Sequence, residues 1–178
     1  PERRGTRGPG RGYLGSVVTV IAGTGSIVMA VDERGRQTRL GGHGYLLGDE
    51  GSAPALARAL AREILRAADR GRPDPVALTW LADAVGVPDS TERGADLSAA
   101  LHRRHSITDW GPLAPAVFAA AAAGSVLANL VIQQHAAELV ELVGLHLDAG
   151  ARPQAVILAG GVVTAQSLMS GSIAAGIH

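Results

Sequence analysis

Residues 21 to 26 read IAGTGS and residues 41 to 52 read GGHGYLLGDEGS, and these two glycine-rich stretches decide the fold. The first ends a β-branched run, VVTVIA at 17–22, which favours a strand followed by a tight turn. In the second, Ser52 is a suitable helix N-cap and Pro54 is acceptable in the first helical turn. The sequence therefore predicts a strand, a glycine turn, a glycine loop and a helix start, in that order.

Outward from these stretches, the pattern predicts a mixed α/β fold. Strands are expected at 17–22, 27–31 and 36–40, forming an antiparallel meander, and a short apolar strand, AVILA, at 155–159. The last of these is typical of a buried parallel position. Helices are expected at 53–69, 76–85, 97–104, 113–123 and 126–147, with a final helix beginning at 163. Leu56, Leu60 and Ile64 would form the apolar stripe of the first helix, and Arg58, Arg62 and Arg66 a solvated face. The long helix would have an apolar stripe of Leu127, Leu130, Val131, Leu139 and Val143.

The amino-acid composition separates an N-terminal leader from the rest of the chain. Residues 1–15 are rich in Arg and Gly, which predicts a disordered leader, and residues 16–178 are long enough for one domain. A gene boundary explains the leader better than a basic arm for nucleic acid.

The formal net charge is zero, which gives no case for nucleic acid or an anionic membrane as partner. The chain contains no cysteine, which excludes disulfides, thiolate zinc sites and Fe–S clusters built from its own residues. No apolar stretch is long enough for a membrane span, so we expect a cytoplasmic location.

The first glycine-rich turn could hold a phosphate. Its residues are Gly23, Thr24, Gly25 and Ser26. Backbone amides in a tight turn form an anion-binding nest, and the two hydroxyls could add to it. An ordinary hairpin turn with two glycines explains the same residues.

The second loop presents Asp49 between glycine-rich segments at a helix start. A carboxylate accepts hydrogen bonds from two hydroxyl donors at once, which suits a sugar, while Glu50 could orient the loop. Alternatively, the helix dipole alone could explain two acidic residues at this position. A third candidate is Gly160-Gly161, after a strand and before a helix, where open α/β sheets commonly bind ligands.

Taken in order, GTGS, GGHG and GDEGS resemble the N-acetylglucosamine kinase and benzoyl-CoA reductase activator ATPase family. VILAGG at 156–161 lies where that family has its adenosine motif. The resemblance implies the C-terminal domain of an actin-like ATPase with a ribonuclease H-like fold. It also implies that the N-terminal domain is absent and that the fold is incomplete.

The resemblance also implies roles for the motifs. The turn from Gly23 to Ser26 would bind the ATP phosphates. Asp49 would contact the sugar hydroxyls, with Gly42 and His43 beside it. Gly160 and Gly161 would lie against the adenosine, and the helix from residue 53 would flank the nucleotide cleft.

Two departures from the family bear on activity. Family members with kinase activity usually carry Trp where this chain has His43. The family's catalytic base and its Mg²⁺-organising phosphate loop lie before the GTGS motif, where this chain has only Glu2 as an acid. We therefore expect no catalytic residue and no metal ligand here, and no activity from this portion alone.

Three functions are then open for the chain. It could be the C-terminal portion of an ATP- and Mg²⁺-dependent kinase acting on an amino sugar such as N-acetylglucosamine. It could instead be an ATPase that activates a reductase, which the lack of cysteine disfavours, or a non-catalytic remnant that binds sugar or nucleotide. The partners would be sugar and ATP, with a homodimer possible. We assign no role to His102, His105, His135, His146 or His178.

Overall fold

The computed structural model describes residues 16–177 and is built on one four-stranded mixed sheet. The strands are β1 (Val17–Ala22), β2 (Ser26–Val31), β3 (Gln37–Gly41) and β4 (Ala155–Ala159), and they lie side by side in the order β3-β2-β1-β4. The first three form the predicted antiparallel meander, and β4 joins β1 in parallel. The predicted α/β class and mixed sheet are confirmed. The predicted leader at 1–15 lies outside the described residues.

One face of the sheet is buried under helices because its strands alternate. Val18, Val20 and Val28 are fully buried, while their neighbours along the strands are only partly covered. This period of two is the mark of a sheet that packs on one side. β4 follows the same register, since Val156 pairs with Val18 and Leu158 with Val20.

The helices occupy most of the chain between β3 and β4. Their bounds are α1 (Ala53–Asp69), α2 (Pro75–Val85), α3 (Arg93–Leu101), α4 (Ile107–Trp110), α5 (Ala114–Ala122), α6 (Val126–Asp148), α7 (Gly161–Ala165) and α8 (Ser167–Gly176), with a 3₁₀ turn at Gly111–Leu113. Ser52 is the N-cap of α1, as predicted, and its hydroxyl accepts from the Ala55 N–H at 3.4 Å. Leu56, Leu60 and Ile64 are buried, which confirms the stripe. In α6 the stripe holds for Val131, Leu139 and Val143, but Leu130 is exposed.

Several sequence predictions were wrong in detail, each for a local reason. The third helix begins at Arg93 and not at 97, because the Arg93 side chain is buried in ion pairs with Asp83 and Asp89. A separate helix α4 precedes the predicted 113–123 helix, because Ser106 and Asp109 form a capping box. The final helix is two helices, since Gln166 takes an extended conformation between them.

The prediction of a buried β4 was also wrong among the described residues. The strand is apolar throughout, yet Ala155 and Ile157 are exposed. It lies at the edge of the described sheet, and these two residues belong to the face opposite the one on which Val18 and Val20 are buried. Hydrophobic content alone therefore overstated its burial.

Within residues 16–177, no single helix is both apolar and long enough to cross a membrane, although one sharply bent pair, Ile107–Ala122 with Val126–Asp148, meets the length and composition test together.

Candidate functional site

Parallel pairing of β1 with β4 brings two distant glycine segments together. The Gly23 turn follows β1 and Gly160-Gly161 follows β4, so both lie at the carboxyl ends of neighbouring strands. A Cβ atom built on Gly23 would lie 3.7 Å from the backbone nitrogen of Gly161. This edge is where open α/β sheets bind ligands.

Gly160 is fixed as glycine by its surroundings. Its φ is +95°, a conformation that residues with side chains rarely adopt. A Cβ atom there would lie 2.4 Å from the carbonyl oxygen of Ala22, the last residue of β1. The missing side chain is therefore what lets the end of β4 lie against the end of β1.

Asp49 is buried and points toward the Gly23 turn. Its φ of +61° makes it the one non-glycine residue with positive φ among the described residues. Carboxylate Oδ1 accepts from the Gly44 N–H at 3.2 Å, and Oδ2 would be 2.9 Å from a Cβ atom on Gly25. The GGHG segment, the GDEGS segment and the GTGS turn thus meet at this carboxylate.

These residues enclose a pocket of about 420 Å³. It is lined by Ile21, Gly23, Thr24, Gly25, Ser26, Ile27, Gly42, Gly44 and Asp49. The volume lies within the usual range for small-molecule sites. The polar side chains that line it are a buried carboxylate and two hydroxyls, of which Thr24 is exposed and Ser26 buried.

Ser26 lines the pocket but also fastens the loop. Its hydroxyl donates to the carbonyl oxygen of Glu50 at 2.6 Å. The Ala53 N–H, at the start of α1, donates to the Gly23 carbonyl oxygen at 2.8 Å. The phosphate-turn candidate and the GDEGS loop are therefore one hydrogen-bonded unit.

Gly42 and His43 lie at the rim. Gly42 has a φ of +71° and packs on Ile27, so that a Cβ atom there would lie 3.0 Å from its Cδ1. His43 is exposed, and its Cβ lies near Gly48. Gly42 lines the pocket, whereas His43 stands beside it.

Sequence reasoning missed two side chains that hold this loop. Arg58, expected on a solvated face, donates to the Tyr45 carbonyl oxygen at 2.6 Å and stacks over the Tyr45 ring at 5.3 Å, whereas Arg62 and Arg66 are exposed as predicted. His135 accepts from the Gly51 N–H at 2.9 Å. The four-residue spacing of the arginines could not show which one meets a loop, and His135 lies on a different helix.

His146 also has a structural place, although none was predicted for it. It is buried beneath the sheet, with Nδ1 3.2 Å from the Thr38 hydroxyl and Nε2 3.2 Å from the Val28 carbonyl oxygen. Because a buried imidazole needs partners for both nitrogens, these contacts explain its burial without a ligand.

Nearly all of the described residues, including this site, match one family of proteins. The family model for the BadF/BadG/BcrA/BcrD ATPases covers residues 10–173. The chain belongs to the BadF/BadG/BcrA/BcrD ATPase family. No curated protein shows significant sequence similarity to this family member.

Three solved structures that share the fold are assigned as sugar kinases. A protein from Chromobacterium violaceum, assigned as an N-acetylglucosamine kinase, is 26% identical with a TM-score of 0.68, covering 89% of this chain and 51% of its own. A second such protein, from Porphyromonas gingivalis, is 19% identical with a TM-score of 0.66, covering 90% and 53%. A ROK family glucokinase from Streptomyces griseus, in complex with glucose and AMPPNP, is 20% identical with a TM-score of 0.55, covering 95% and 51%. This member of the ATPase family thus has the actin-like kinase fold and spans about half the length of these structures.

The site residues suit the phosphates of ATP, which the family uses. Gly23 and Gly25 carry no side chain, so the turn leaves the pocket open beside the exposed Thr24 hydroxyl. Within residues 16–177, no group of three or more His, Asp or Glu side chains is arranged to hold a metal ion.

Proposed function

We propose that this chain forms the sugar- and phosphate-binding half of an ATP-dependent sugar kinase. The whole protein would transfer the γ-phosphoryl group of ATP to a hydroxyl of an amino sugar, with N-acetylglucosamine as the first candidate. Membership in the ATPase family and the fold shared with proteins assigned as N-acetylglucosamine kinases support this proposal. A cytoplasmic location and a homodimer stay predictions.

One observation carries the proposal: the buried Asp49 carboxylate lies against the GTGS turn, and both line the same pocket. Phosphoryl transfer requires an acceptor hydroxyl and a phosphate group held close together and in line. Asp49 would hold the sugar by accepting from its hydroxyls, and Thr24 and Gly25 would hold the phosphates. Gly23 would leave room beside them, because its N–H already donates to the Gly25 carbonyl oxygen at 2.9 Å. Ser26 would support the turn, because its own hydroxyl is engaged with Glu50.

The reaction would form a bond between the sugar oxygen and the γ-phosphorus and break the bond from that phosphorus to the β–γ bridging oxygen. ADP leaves with the electron pair of the broken bond, and the hydroxyl proton passes to a base. ATP would supply the phosphoryl group, while the residues of this chain would position it and the acceptor. We assign no residue of 16–177 to the base, and Gly160 and Gly161 would lie against the adenosine.

Titration calorimetry tests the binding half of this proposal. The chain is titrated with N-acetylglucosamine, with glucose, and with the non-hydrolysable ATP analogue AMPPNP, in the presence and absence of Mg²⁺. Sugar phosphate formation by the whole protein is then followed with ATP over a panel of hexoses and amino sugars. Binding of an amino sugar and of the nucleotide supports the proposal.

The possible outcomes separate the competing functions. Binding of sugar and nucleotide by this chain without turnover fits both a kinase half and a binding module, and sugar phosphate formation by the whole protein separates the two. Nucleotide hydrolysis that no sugar stimulates would favour an ATPase that drives another protein. Lack of binding to every sugar and to the nucleotide would overturn the kinase proposal.

A further inference from the structure

The loop that carries Asp49 rests on helix α6 through two residues one turn apart. The Gly51 N–H donates to Nδ1 of His135 at 2.9 Å. Gly51 also lies against Leu139, so closely that a Cβ atom on it would be 2.6 Å from Leu139 Cδ1. Helix α6 therefore fixes the position of Gly51 by a hydrogen bond and by packing.

The hydrogen bond defines the protonation state of His135. Because Nδ1 accepts a hydrogen bond, the ring is neutral and its proton is on Nε2. Burial lowers the pKa of His135, the charge of Glu50 opposes this, and the charge of Arg58 adds to it. Glu50 faces the ring from the loop and Arg58 from α1, while α8, which also packs on α6, contains no titratable residue. On α6 itself, Glu138 is exposed.

The position of Gly51 is coupled to that of Asp49 through the backbone. Asp49 and Gly51 both have positive φ, +61° and +82°, and the Ser52 N–H donates to the Asp49 carbonyl oxygen at 3.0 Å. A left-handed conformation at a non-glycine residue costs free energy and persists only where its surroundings hold it. Releasing Gly51 would therefore let the Asp49 carboxylate move away from Gly25.

We propose that His135 is a positioning residue for the sugar site: its neutral ring holds Gly51, and through it Asp49, and protonation of the ring releases the loop. This inference rests on the proposed sugar-binding function of Asp49. It predicts that sugar affinity falls in acid for a reason that lies outside the pocket itself.

Two variants of the full chain distinguish the effect of the hydrogen bond to Gly51 from the effect of protonating the His135 ring. His135→Asn offers an amide oxygen at about the place of Nδ1 and does not titrate. His135→Phe fills similar space without an acceptor. The exposed His105 provides a matched control, His105→Asn, since only its backbone carbonyl contacts the loop, through the Tyr45 hydroxyl.

The first measurement does not depend on sugar binding. Amide NMR signals of Gly51 and Asp49 are followed together with the His135 ring signals from about pH 8 to about pH 4, which extends below the ordinary titration range of histidine because burial lowers the pKa of His135. In the wild type and in His105→Asn, we expect the two amides to shift with protonation of the His135 ring. In His135→Asn they should stay constant, and in His135→Phe they should be displaced at every pH.

The second measurement is the affinity for N-acetylglucosamine over the same pH range. We expect about a tenfold loss in acid for the wild type and at every pH for His135→Phe, as for one buried hydrogen bond. His135→Asn should keep its affinity throughout.

The inference would be overturned if the Gly51 and Asp49 amide signals did not change on protonation of the His135 ring. It would also be overturned if the His135→Phe variant had wild-type signals and affinity. If no variant binds the sugar but the amides titrate as described, the proposed function fails and the coupling of His135 to the loop stands.

Discussion

Gly25 and Asp49 are in contact across the candidate site, with no room between them for a side chain. A Cβ atom at position 25 would lie 2.9 Å from Oδ2 of Asp49 and 3.6 Å from its Cγ. The other carboxylate oxygen accepts from the Gly44 N–H, and the residue is buried. A side chain at position 25 would therefore push against a carboxylate that is held by that hydrogen bond.

Gly25→Ala should displace the Asp49 carboxylate and reduce sugar affinity by about tenfold or more. The physical reason is overpacking, which costs roughly 1–3 kcal/mol in a tight site, and part of that cost should appear in the free energy of unfolding. Calorimetry with N-acetylglucosamine and thermal unfolding measure the two effects. Gly94→Ala is the control, since Gly94 lies in α3 with no neighbouring atom within 4 Å, and it should leave affinity unchanged. Equal affinities in the two variants would refute the role given to this contact.

Asp49→Asn should remove most of the sugar affinity while keeping the fold. The amide has nearly the same shape and keeps an oxygen for the Gly44 N–H, but it offers one acceptor oxygen where the carboxylate offers two. Hydrogen bonds to a charged group contribute about 1.5–3 kcal/mol, so the loss should be at least about tenfold. Calorimetry checks this, with Asp69→Asn, an exposed residue at the end of α1, as control. Wild-type affinity in Asp49→Asn would contradict the assignment.

Local patterns predicted most of the fold. VVTVIA and AVILA gave the bounds of β1 and β4, and Ser52 gave the start of α1, because β-branched runs and N-caps act over a few residues. The start of α3 was wrong because Arg93 is stabilised by Asp83, ten positions away, which helix periodicity does not represent. The burial of β4 depends on what covers its faces, which is a property of the whole fold.

The glycine motifs predicted which segments of the chain lie at the pocket, but not which side chains support those segments. The order of GTGS and GDEGS in the chain pointed to the two segments that line the pocket. His135 could not be predicted in the same way, because its partner Gly51 is 84 positions away in the sequence. In addition, the ring accepts from a backbone N–H, which nearly every residue has, so no particular residue type marks the contact.

Asp74 links the starts of two helices, and its loss should destabilise the fold. Oδ1 accepts from the Ala77 N–H in α2 at 2.9 Å, while Oδ2 accepts from the Ser125 hydroxyl at 2.9 Å and the Leu127 N–H at 3.1 Å. Asp74→Ala removes all three bonds, and we expect the free energy of unfolding to fall by roughly 2–3 kcal/mol. Denaturant unfolding measures the change. Asp148→Asn, at the exposed end of α6, should change it by less than about 0.5 kcal/mol, and comparable losses in both variants would contradict the double cap.

Asp74 should also make the free energy of unfolding depend on pH in the acidic range. Burial raises the pKa of Asp74, but hydrogen bonds from Ala77, Leu127 and Ser125 outweigh it and leave the pKa below its ordinary value. A carboxyl with a lowered pKa in the folded state stabilises above its unfolded pKa of about 3.9, and this contribution is lost as the pH falls through the folded value. Asp74→Asn should therefore lose stability relative to wild type at neutral pH, with the difference shrinking below about pH 4. Unfolding curves at a series of pH values test this, and a constant difference would refute it.

Replacing each of the two neighbouring glycines after β4 by alanine should have different effects on stability. Gly160 has a φ of +95°, and its Cβ would lie 2.4 Å from the Ala22 carbonyl oxygen, whereas a Cβ on Gly161 would meet nothing within 4 Å. Gly160→Ala should therefore lower the free energy of unfolding by more than about 2 kcal/mol, since it combines backbone strain with a backbone clash. Gly161→Ala should leave stability nearly unchanged but weaken AMPPNP binding if the adenosine lies against this residue. Denaturant unfolding and nucleotide titration of the two variants measure these effects separately. Equal stabilities would contradict the close approach of β4 to β1, and unchanged nucleotide affinity in a folded Gly161→Ala variant would remove the adenosine from this edge of the sheet.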